Sequence, residues 1–187
     1  MMNLVGISGS LRKASTNTGL LRAAQTLLPE GVSLTIAGLA DIPLYDEDVE
    51  HAGEPEAVAA LRKQLAEADG ILIASPEYNY SLSGVLKNAI DWMSRTPVKP
   101  FNGKPVAIMG ASGGNFGTVR GQIALRTVLQ SQNALTLSRP EVLVTQGRTK
   151  ADEAGTLIDE ASLKVLGTLI EALVLHVRRT QATRELQ

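Results

Sequence analysis

The sequence has no cysteine, which excludes disulfides, thiol catalysis and zinc sites built on cysteine. It has only two histidines, His51 and His176, which are far apart and lack metal-ligating neighbours, so no metal site is predicted. The 18 Lys and Arg residues nearly balance the 19 Asp and Glu residues, and no basic run is present. Binding to nucleic acid through the phosphate backbone is therefore not expected.

Long hydrophobic runs are also missing. No apolar stretch is long enough to span a bilayer, and the N-terminus lacks the charged and apolar regions of a signal peptide. We therefore expect a cytoplasmic protein with no membrane partner. A length of 187 residues suits one fairly large domain, and no linker, repeat or low-complexity tract suggests a second one. A single domain over residues 1–187 is predicted.

A polar loop of small residues, S-G-S-L-R-K-A-S-T-N at residues 8–17, stands between an apolar run and a helical pattern. A strand that leads through such a loop into a helix N-terminus is a common binding site for a phosphate. Arg12 strengthens this interpretation because a guanidinium donates two parallel hydrogen bonds to a phosphate. On this stretch alone, a surface turn that ends in a helix cap is an equal alternative. The loop is neither a Walker A nor a G-x-G-x-x-G sequence, which argues against an NTPase and a Rossmann dinucleotide site.

Apolar runs and helical patterns alternate along the chain. This alternation predicts an α/β fold, with a five-stranded parallel sheet covered by helices on both faces. The predicted strands are residues 2–8, 32–36, 71–74, 106–109 and 134–144, the last split or kinked near Pro140. The predicted helices are residues 17–28, 54–67, 84–94, 118–131 and 156–179. Residues 40–49 are expected to be an irregular acidic loop, and His176, Arg178 and Arg179 to compensate the dipole at the end of the last helix.

Ligand-like loops follow strands 1, 3 and 4, which favours the strand order 2-1-3-4-5 because those three strands then lie side by side. The second of these loops, residues 75–83, is stiffened by Pro76, and its Tyr78 could cover a flat heterocycle. The third, residues 110–117, offers Ser112 and close backbone approach at its glycines. The alternative for each loop alone is a structural turn. Tyr80 and Trp92 are expected in the core or in an interface.

No nucleophile and base can be paired in the sequence, so no catalytic residue is predicted. A fold with a phosphate loop and a platform for a ring, but without a protein catalyst, favours chemistry carried by a cofactor. Flavin mononucleotide (FMN) fits, with its phosphate at the first loop and its isoalloxazine ring at the other two.

Two long motifs resemble those of the NADPH-dependent FMN reductase family. Residues 9–17 resemble its G-S-x-R-x-x-S-x-N segment, and residues 76–79 and 83–92 resemble its P-E-Y-N and S-G-x-L-K-N-A-I-D-W segments. Residues 40–46 and the spacing of Ser112 resemble the quinone and chromate reductase branch. The resemblance covers most of residues 3–125 and is weaker beyond them.

This resemblance implies a flavodoxin-like three-layer sandwich, tightly bound FMN, NADPH or NADH as co-substrate, and a homodimer or homotetramer with the flavin near a subunit interface. It assigns the phosphate to Ser10, Arg12, Ser15 and Asn17, the ring to residues 76–79, and the pyrimidine side of the ring to Ser112. The complete set of predicted cofactor-binding residues is Ser10, Leu11, Arg12, Ser15, Thr16, Asn17, Pro76, Glu77, Tyr78, Asn79, Ser112 and Gly113.

The function expected from the resemblance is ping-pong hydride transfer from NAD(P)H to a small-molecule acceptor such as flavin, a quinone, chromate or an azo compound. One alternative is a flavodoxin-type electron carrier, although such carriers rely on a charged docking face and this chain is nearly neutral. Another is a non-flavin module that uses the same fold. The residues select neither the acceptor nor NADPH over NADH, since Arg95 or Arg120 alone is too weak a signal for a 2′-phosphate.

Overall fold

Strands and helices alternate in the structure, a computed structural model that describes residues 1–95 and 97–186. The strands are β1 Met2–Ser8, β2 Val32–Ala37, β3 Gly70–Ala74, β4 Pro105–Ala111, β5 Leu135–Thr136 and β6 Val142–Val144. The helices are α1 Thr16–Thr26, α2 Glu47–Ala52, α3 Glu56–Glu67, α4 Gly84–Arg95, α5 Val119–Ser131 and α6 Glu160–Glu185.

The strands form one parallel sheet of order β2-β1-β3-β4-β5, in which β6 also pairs with β4. β5 pairs with the start of β4, with Leu135 opposite Pro105, and β6 pairs with its end, with Val142 opposite Met109. The predicted fifth strand is therefore split in two, and Pro140 lies in the interruption, where its missing N–H breaks no ladder bond. The predicted strand order and the flavodoxin-like α/β class are both confirmed.

The core lies in two layers, one on each face of the sheet. Ile71 and Ile73 of β3 face one layer, and Leu72 and Ala74 face the other, as the two-residue period of a strand requires. Buried residues of α3, α4 and α5 pack in the first layer, and those of α1 and α6 in the second. Because both faces are covered, β3 and β4 are buried along their whole length, which explains their continuous apolar sequence.

The acidic segment after β2 contains a helix that the sequence did not reveal. Residues 47–52 form α2, so the expectation of an irregular loop up to residue 49 is wrong there. Asp46 caps this helix by accepting a hydrogen bond from Asp48 N at 2.9 Å. Three acidic residues follow in its first turn, and their negative charges stabilise the helix by interacting with the positive end of its dipole. α2 has no buried residue, so it leaves no apolar periodicity to detect.

The last helix is shifted towards the C-terminus relative to its prediction. α6 begins at Glu160 because Asp159 caps it, accepting from Ser162 N at 2.9 Å and from Ser162 Oγ at 2.6 Å. It ends at Glu185, so His176 is well inside the helix, where its Nε2 lies 2.8 Å from Leu135 O. The prediction that His176, Arg178 and Arg179 compensate the helix dipole is therefore wrong, because the basic residue in the last turn is Arg184. His176 joins α6 to β5 instead. In the parts of the chain that the structure describes, no helix has both the length and the apolar character needed to cross a bilayer.

The cap of α6 predicts a pH-dependent contribution to stability. The hydrogen bonds from the Ser162 hydroxyl and N–H lower the pKa of Asp159 below its ordinary 3.8. A lowered folded-state pKa stabilises the fold above the unfolded pKa, and this contribution is lost as pH falls through the folded value. We expect Asp159→Ala to lower the melting temperature by about 2–4 °C at pH 7. The difference in melting temperature between the parent and Asp159→Ala, measured by circular dichroism, should shrink below pH 3.8. Asp159→Asn, which keeps the capping oxygen but not the charge, is the control. An Asp159→Ala deficit that stays constant across this range would contradict the assignment.

Candidate functional site

The three predicted loops meet at the carboxyl edge of the sheet around one cavity of about 260 Å³. Except for Leu11 and Asn79, every residue predicted to bind the cofactor lines this cavity. The complete lining is Ser10, Arg12, Ser15, Thr16, Asn17, Pro76, Glu77, Tyr78, Ala111, Ser112, Gly113, Gly147 and Arg148. Ligands of parallel α/β sheets bind at this edge, at the switch point between the first and third strands.

The β1–α1 loop presents the N-terminus of α1 to the cavity. Ser15 caps the helix from an extended backbone conformation and accepts a hydrogen bond from Thr18 N at 3.3 Å. The first helical N–H groups, those of Thr16 and Asn17, have no carbonyl one turn earlier to bond with. They carry the partial positive charge of the helix dipole. This end of the cavity can therefore bind an anion through the main chain.

Arg12 adds a full positive charge to the same end. Its side chain is exposed and lines the cavity. Among residues 1–95 and 97–186, it has no hydrogen bond and no carboxylate within ion-pair distance. Its guanidinium is therefore available to a ligand.

Asn17 holds the end of β4 against α1. Its Nδ2 donates to Ala111 O at 3.0 Å, and its Oδ1 accepts from Ala111 N at 2.9 Å. The side chain that the motif assigns to a phosphate is thus bonded to the main chain of Ala111 and is buried. What Asn17 can offer an anion is its backbone N–H.

The β3–α4 loop is attached to α5 through Glu77. Glu77 Oε2 accepts from Arg120 N and from Gly121 N, both at 2.9 Å, and so caps the N-terminus of α5. Its Oε1 also lies 3.6 Å from Arg120 Nη1, and its side chain is only 10% exposed. The Glu77 carboxylate therefore supports the loop, and Pro76 and Tyr78 beside it face the cavity.

A tight turn follows, closed by reciprocal 3.0 Å hydrogen bonds between Tyr78 and Ser81. Its central residues, Asn79 and Tyr80, have φ values of 50° and 65°, which is the left-handed region that non-glycine residues rarely adopt. This conformation places the Tyr80 ring on the surface, 69% exposed. The Arg120 guanidinium lies 4.2 Å from the centroid of that ring and 4.9 Å from that of Phe116.

Of the two places expected for Tyr80 and Trp92, the core or an interface, Trp92 occupies the core and Tyr80 does not. Tyr80 is exposed because its turn projects it away from the sheet, and an interface role for it stays a prediction. Trp92 is 2% exposed, and its Nε1 donates to Pro43 O at 2.9 Å.

The end of β4 and the β4–α5 loop also line the cavity, through Ala111, Ser112 and Gly113. A Cβ added at Gly110 would lie 2.2 Å from Thr118 Oγ1 and 2.4 Å from Ser75 O, so only glycine fits there. This contact packs Gly110, near the end of β4, directly against Ser75 of the second loop and Thr118 before α5. Ser112 is fixed by its N–H, which donates to Val144 O at 3.0 Å.

A fourth loop, between β6 and α6, contributes Gly147 and Arg148 to the lining. Neither residue was predicted to bind a ligand, because both lie beyond the two recognised motifs. The fold supplies the missing signal, since β6 pairs with the carboxyl end of β4 and its loop must emerge at the same edge. Gly147 N donates to Ser112 O at 2.8 Å, which joins the fourth loop to the third.

Comparisons with known proteins agree with this geometry. The family model for NADPH-dependent FMN reductase matches residues 2–149. An NAD(P)H-dependent FMN reductase of Pseudomonas aeruginosa is 47% identical over 178 residues, covering 95% of this chain and 96% of that protein. A quinone reductase of Escherichia coli K12 is 39% identical over 183 residues, covering 96% and 97%.

Among solved structures, the flavoenzyme NAD(P)H:(acceptor) oxidoreductase of Paracoccus denitrificans superposes with a TM-score of 0.87 at 30% identity. This superposition covers 96% of this chain and 99% of that one. The family match extends over most of the chain and includes all four loops around the cavity up to residue 149. The chain therefore belongs to the NADPH-dependent FMN reductase family.

Proposed function

We propose that this chain is an FMN-dependent NAD(P)H oxidoreductase that reduces small acceptors such as flavins or quinones, with residues 1–187 forming one FMN-binding domain. The observation that carries the proposal is the convergence of the α1 N-terminus, Arg12 and two further loops on a single cavity. The family membership and the names of the relatives support the same activity.

The donors around the cavity fit an FMN. A phosphate monoester suits the end formed by Arg12, Ser10 and the first N–H groups of α1, because a cationic side chain and several hydrogen-bond donors of the lining lie together there. The flat ring suits the other walls, where residues 76–78 and the backbone at Ser112 and Gly113 provide apolar and main-chain surface. Ser15, Thr16 and Asn17 complete the phosphate end, and Leu11 and Asn79, which flank the lining, complete the proposed set.

When bound, FMN supplies the group that accepts a hydride from NAD(P)H and passes electrons to the acceptor. The protein's own residues bind and orient. Within the described residues, Glu77 is the carboxylate that lines the cavity, and two N–H groups of α5 and the Arg120 side chain already engage it. No protein acid or base is therefore assigned to the reaction, and a ping-pong sequence, in which one small molecule leaves before the next binds, suits such a site.

A homodimer or homotetramer in the cytoplasm is part of the same proposal. Three large apolar side chains, Tyr80, Phe116 and Ile123, are each more than 60% exposed on the loops and helix beside the cavity. A surface of this kind favours contact with another subunit. Sedimentation of the purified protein measures the assembly state, and a monomer at micromolar concentration would contradict this part.

Anaerobic spectroscopy tests the function. We expect the purified protein to bind FMN, to lose the visible absorption of oxidised flavin on addition of NADPH or NADH, and to regain it with a quinone. Initial rates against both substrates should give parallel double-reciprocal lines. Flavin that binds but is not reduced by either dinucleotide would favour an electron carrier, and failure to bind FMN would favour a non-flavin module.

A further inference from the structure

Arg148 is a second guanidinium at the cavity. It lies in the β6–α6 loop, is exposed, and lines the cavity together with Arg12. In the described part of the chain, its side chain has no hydrogen bond and no carboxylate within ion-pair distance. The family motifs identified in the sequence do not include it.

The backbone that carries Arg148 is held in place on both sides. Gln146 N donates to Gly114 O at 2.9 Å, Gly147 N donates to Ser112 O at 2.8 Å, and Thr149 N donates to Gln146 O at 2.9 Å. Gln146 adopts a φ of 50°, a conformation with a cost that the surrounding bonds must offset. Arg148 is thus presented by a fixed turn.

This turn packs directly against the anion-binding end of the cavity. A Cβ added at Gly147 would lie 3.3 Å from Ser112 O and 3.4 Å from Cγ2 of Thr16, the first residue of α1. The equivalent atom at Gly113 would lie 4.0 Å from Arg148 Nε. Arg148 therefore stands next to both the α1 N-terminus and the third loop.

The charges around the cavity indicate the ligand. The carboxylate of Glu77 is already compensated by N–H groups of α5 and by Arg120. Two positive charges, on Arg12 and Arg148, are left to a ligand. A phosphate monoester carries about −1.5 to −2 near pH 7, which matches them, whereas a phosphodiester carries only one negative charge.

We propose that Arg148 acts with Arg12 as a specificity-determining residue that recognises a phosphate monoester. This inference rests on the proposed function, which supplies two such groups: the 5′-phosphate of FMN and the 2′-phosphate of NADPH. In the first case Arg148 distinguishes FMN from riboflavin, and in the second it distinguishes NADPH from NADH.

The test compares Arg148→Gln with Arg139→Gln, which removes the same charge from a guanidinium that is 79% exposed and does not line the cavity. Apoprotein is titrated with FMN and with riboflavin by flavin fluorescence, and KM is measured for NADPH and for NADH. We expect one of two selective effects of Arg148→Gln. Either the affinity for FMN falls about tenfold and that for riboflavin is unchanged, or the KM for NADPH rises about tenfold and that for NADH is unchanged. Arg148→Lys should recover part of the loss, because lysine keeps the charge but not the paired donors.

Each outcome decides the proposal. Selective loss of FMN affinity supports it with the cofactor as the source of the phosphate, and a selective rise in the KM for NADPH supports it with the dinucleotide as the source. Equal losses of affinity for FMN and riboflavin would overturn it, and so would unchanged affinities for both flavins together with unchanged KM values for NADPH and NADH. In either case, activity of the parent protein would still support the proposed function. A parent protein that neither binds FMN nor oxidises NAD(P)H would overturn both.

Discussion

Replacing Arg12 by alanine is expected to raise the Kd for FMN by roughly one to two orders of magnitude. A hydrogen bond to a charged group contributes about 1.5–3 kcal/mol, and each 1.4 kcal/mol is a factor of ten in affinity. Arg12 lines the cavity beside the N-terminus of α1. Because its guanidinium has no protein partner in the described residues to lose, the substitution should leave the fold intact.

Fluorescence titration of apoprotein with FMN measures this effect. Lys13→Ala is the matched control, because Lys13 is an exposed cation in the same loop that does not line the cavity. Riboflavin provides a second control, since it lacks the phosphate and its affinity should change little. An Arg12→Ala protein that retains FMN as tightly as the parent would show that Arg12 is not a phosphate ligand.

Gly19→Ala is expected to destabilise the protein by about 3 kcal/mol, and the melting temperature should fall by about 6–12 °C. Gly19 lies in α1, and a Cβ there would lie 1.7 Å from Gly155 O and 2.6 Å from Gly155 C. Gly155 has little room to move away, because it is packed against the main chain of Ala14: a Cβ added at Gly155 would lie 2.7 Å from Ala14 O. Its φ of +80° also fixes it in a conformation that suits glycine. The substitution must separate α1 from the loop before α6.

The control for this prediction is another helical glycine. Gly167 lies in α6, and a Cβ added there meets nothing within 4 Å. Gly167→Ala should therefore stabilise the protein by about 0.5–1 kcal/mol, through helix propensity alone. Urea unfolding of both variants beside the parent gives the two free energies. Equal and small effects in both would mean that α1 and the 155–156 segment do not pack this closely.

The order of the elements could be predicted because the sheet is covered on both faces. Residues 71–74 are wholly apolar and too few for a helix, so β3 was legible from the sequence alone. α2 was not, because none of its residues is buried and only its capping residue and acidic first turn mark it. α6 was misplaced at its start because the apolar Leu157 and Ile158 precede it, whereas the cap at Asp159 sets the boundary.

The site likewise contains residues that could be predicted from the sequence and residues that could not. The first two loops carry recognisable motifs, and most of the binding residues predicted from those motifs do line the cavity. The partner of Asn17 could not be predicted, because Ala111 is 94 residues away and contributes only main-chain atoms, which leave no trace in the sequence. Arg148 was missed for a related reason, since its place depends on β6 pairing beside β4 and not on any local pattern.

The bond pair between Asn17 and Ala111 has a consequence for how this scaffold can change. The Asn17 amide bonds only to main-chain atoms of Ala111. Side chains after the end of β4 can therefore be exchanged without changing the distance between α1 and β4. An engineer who wishes to alter the acceptor should therefore diversify residues 114–116 and leave positions 17 and 113 untouched. Library members would then differ in the shape of the β4–α5 loop while they keep their affinity for the prosthetic group.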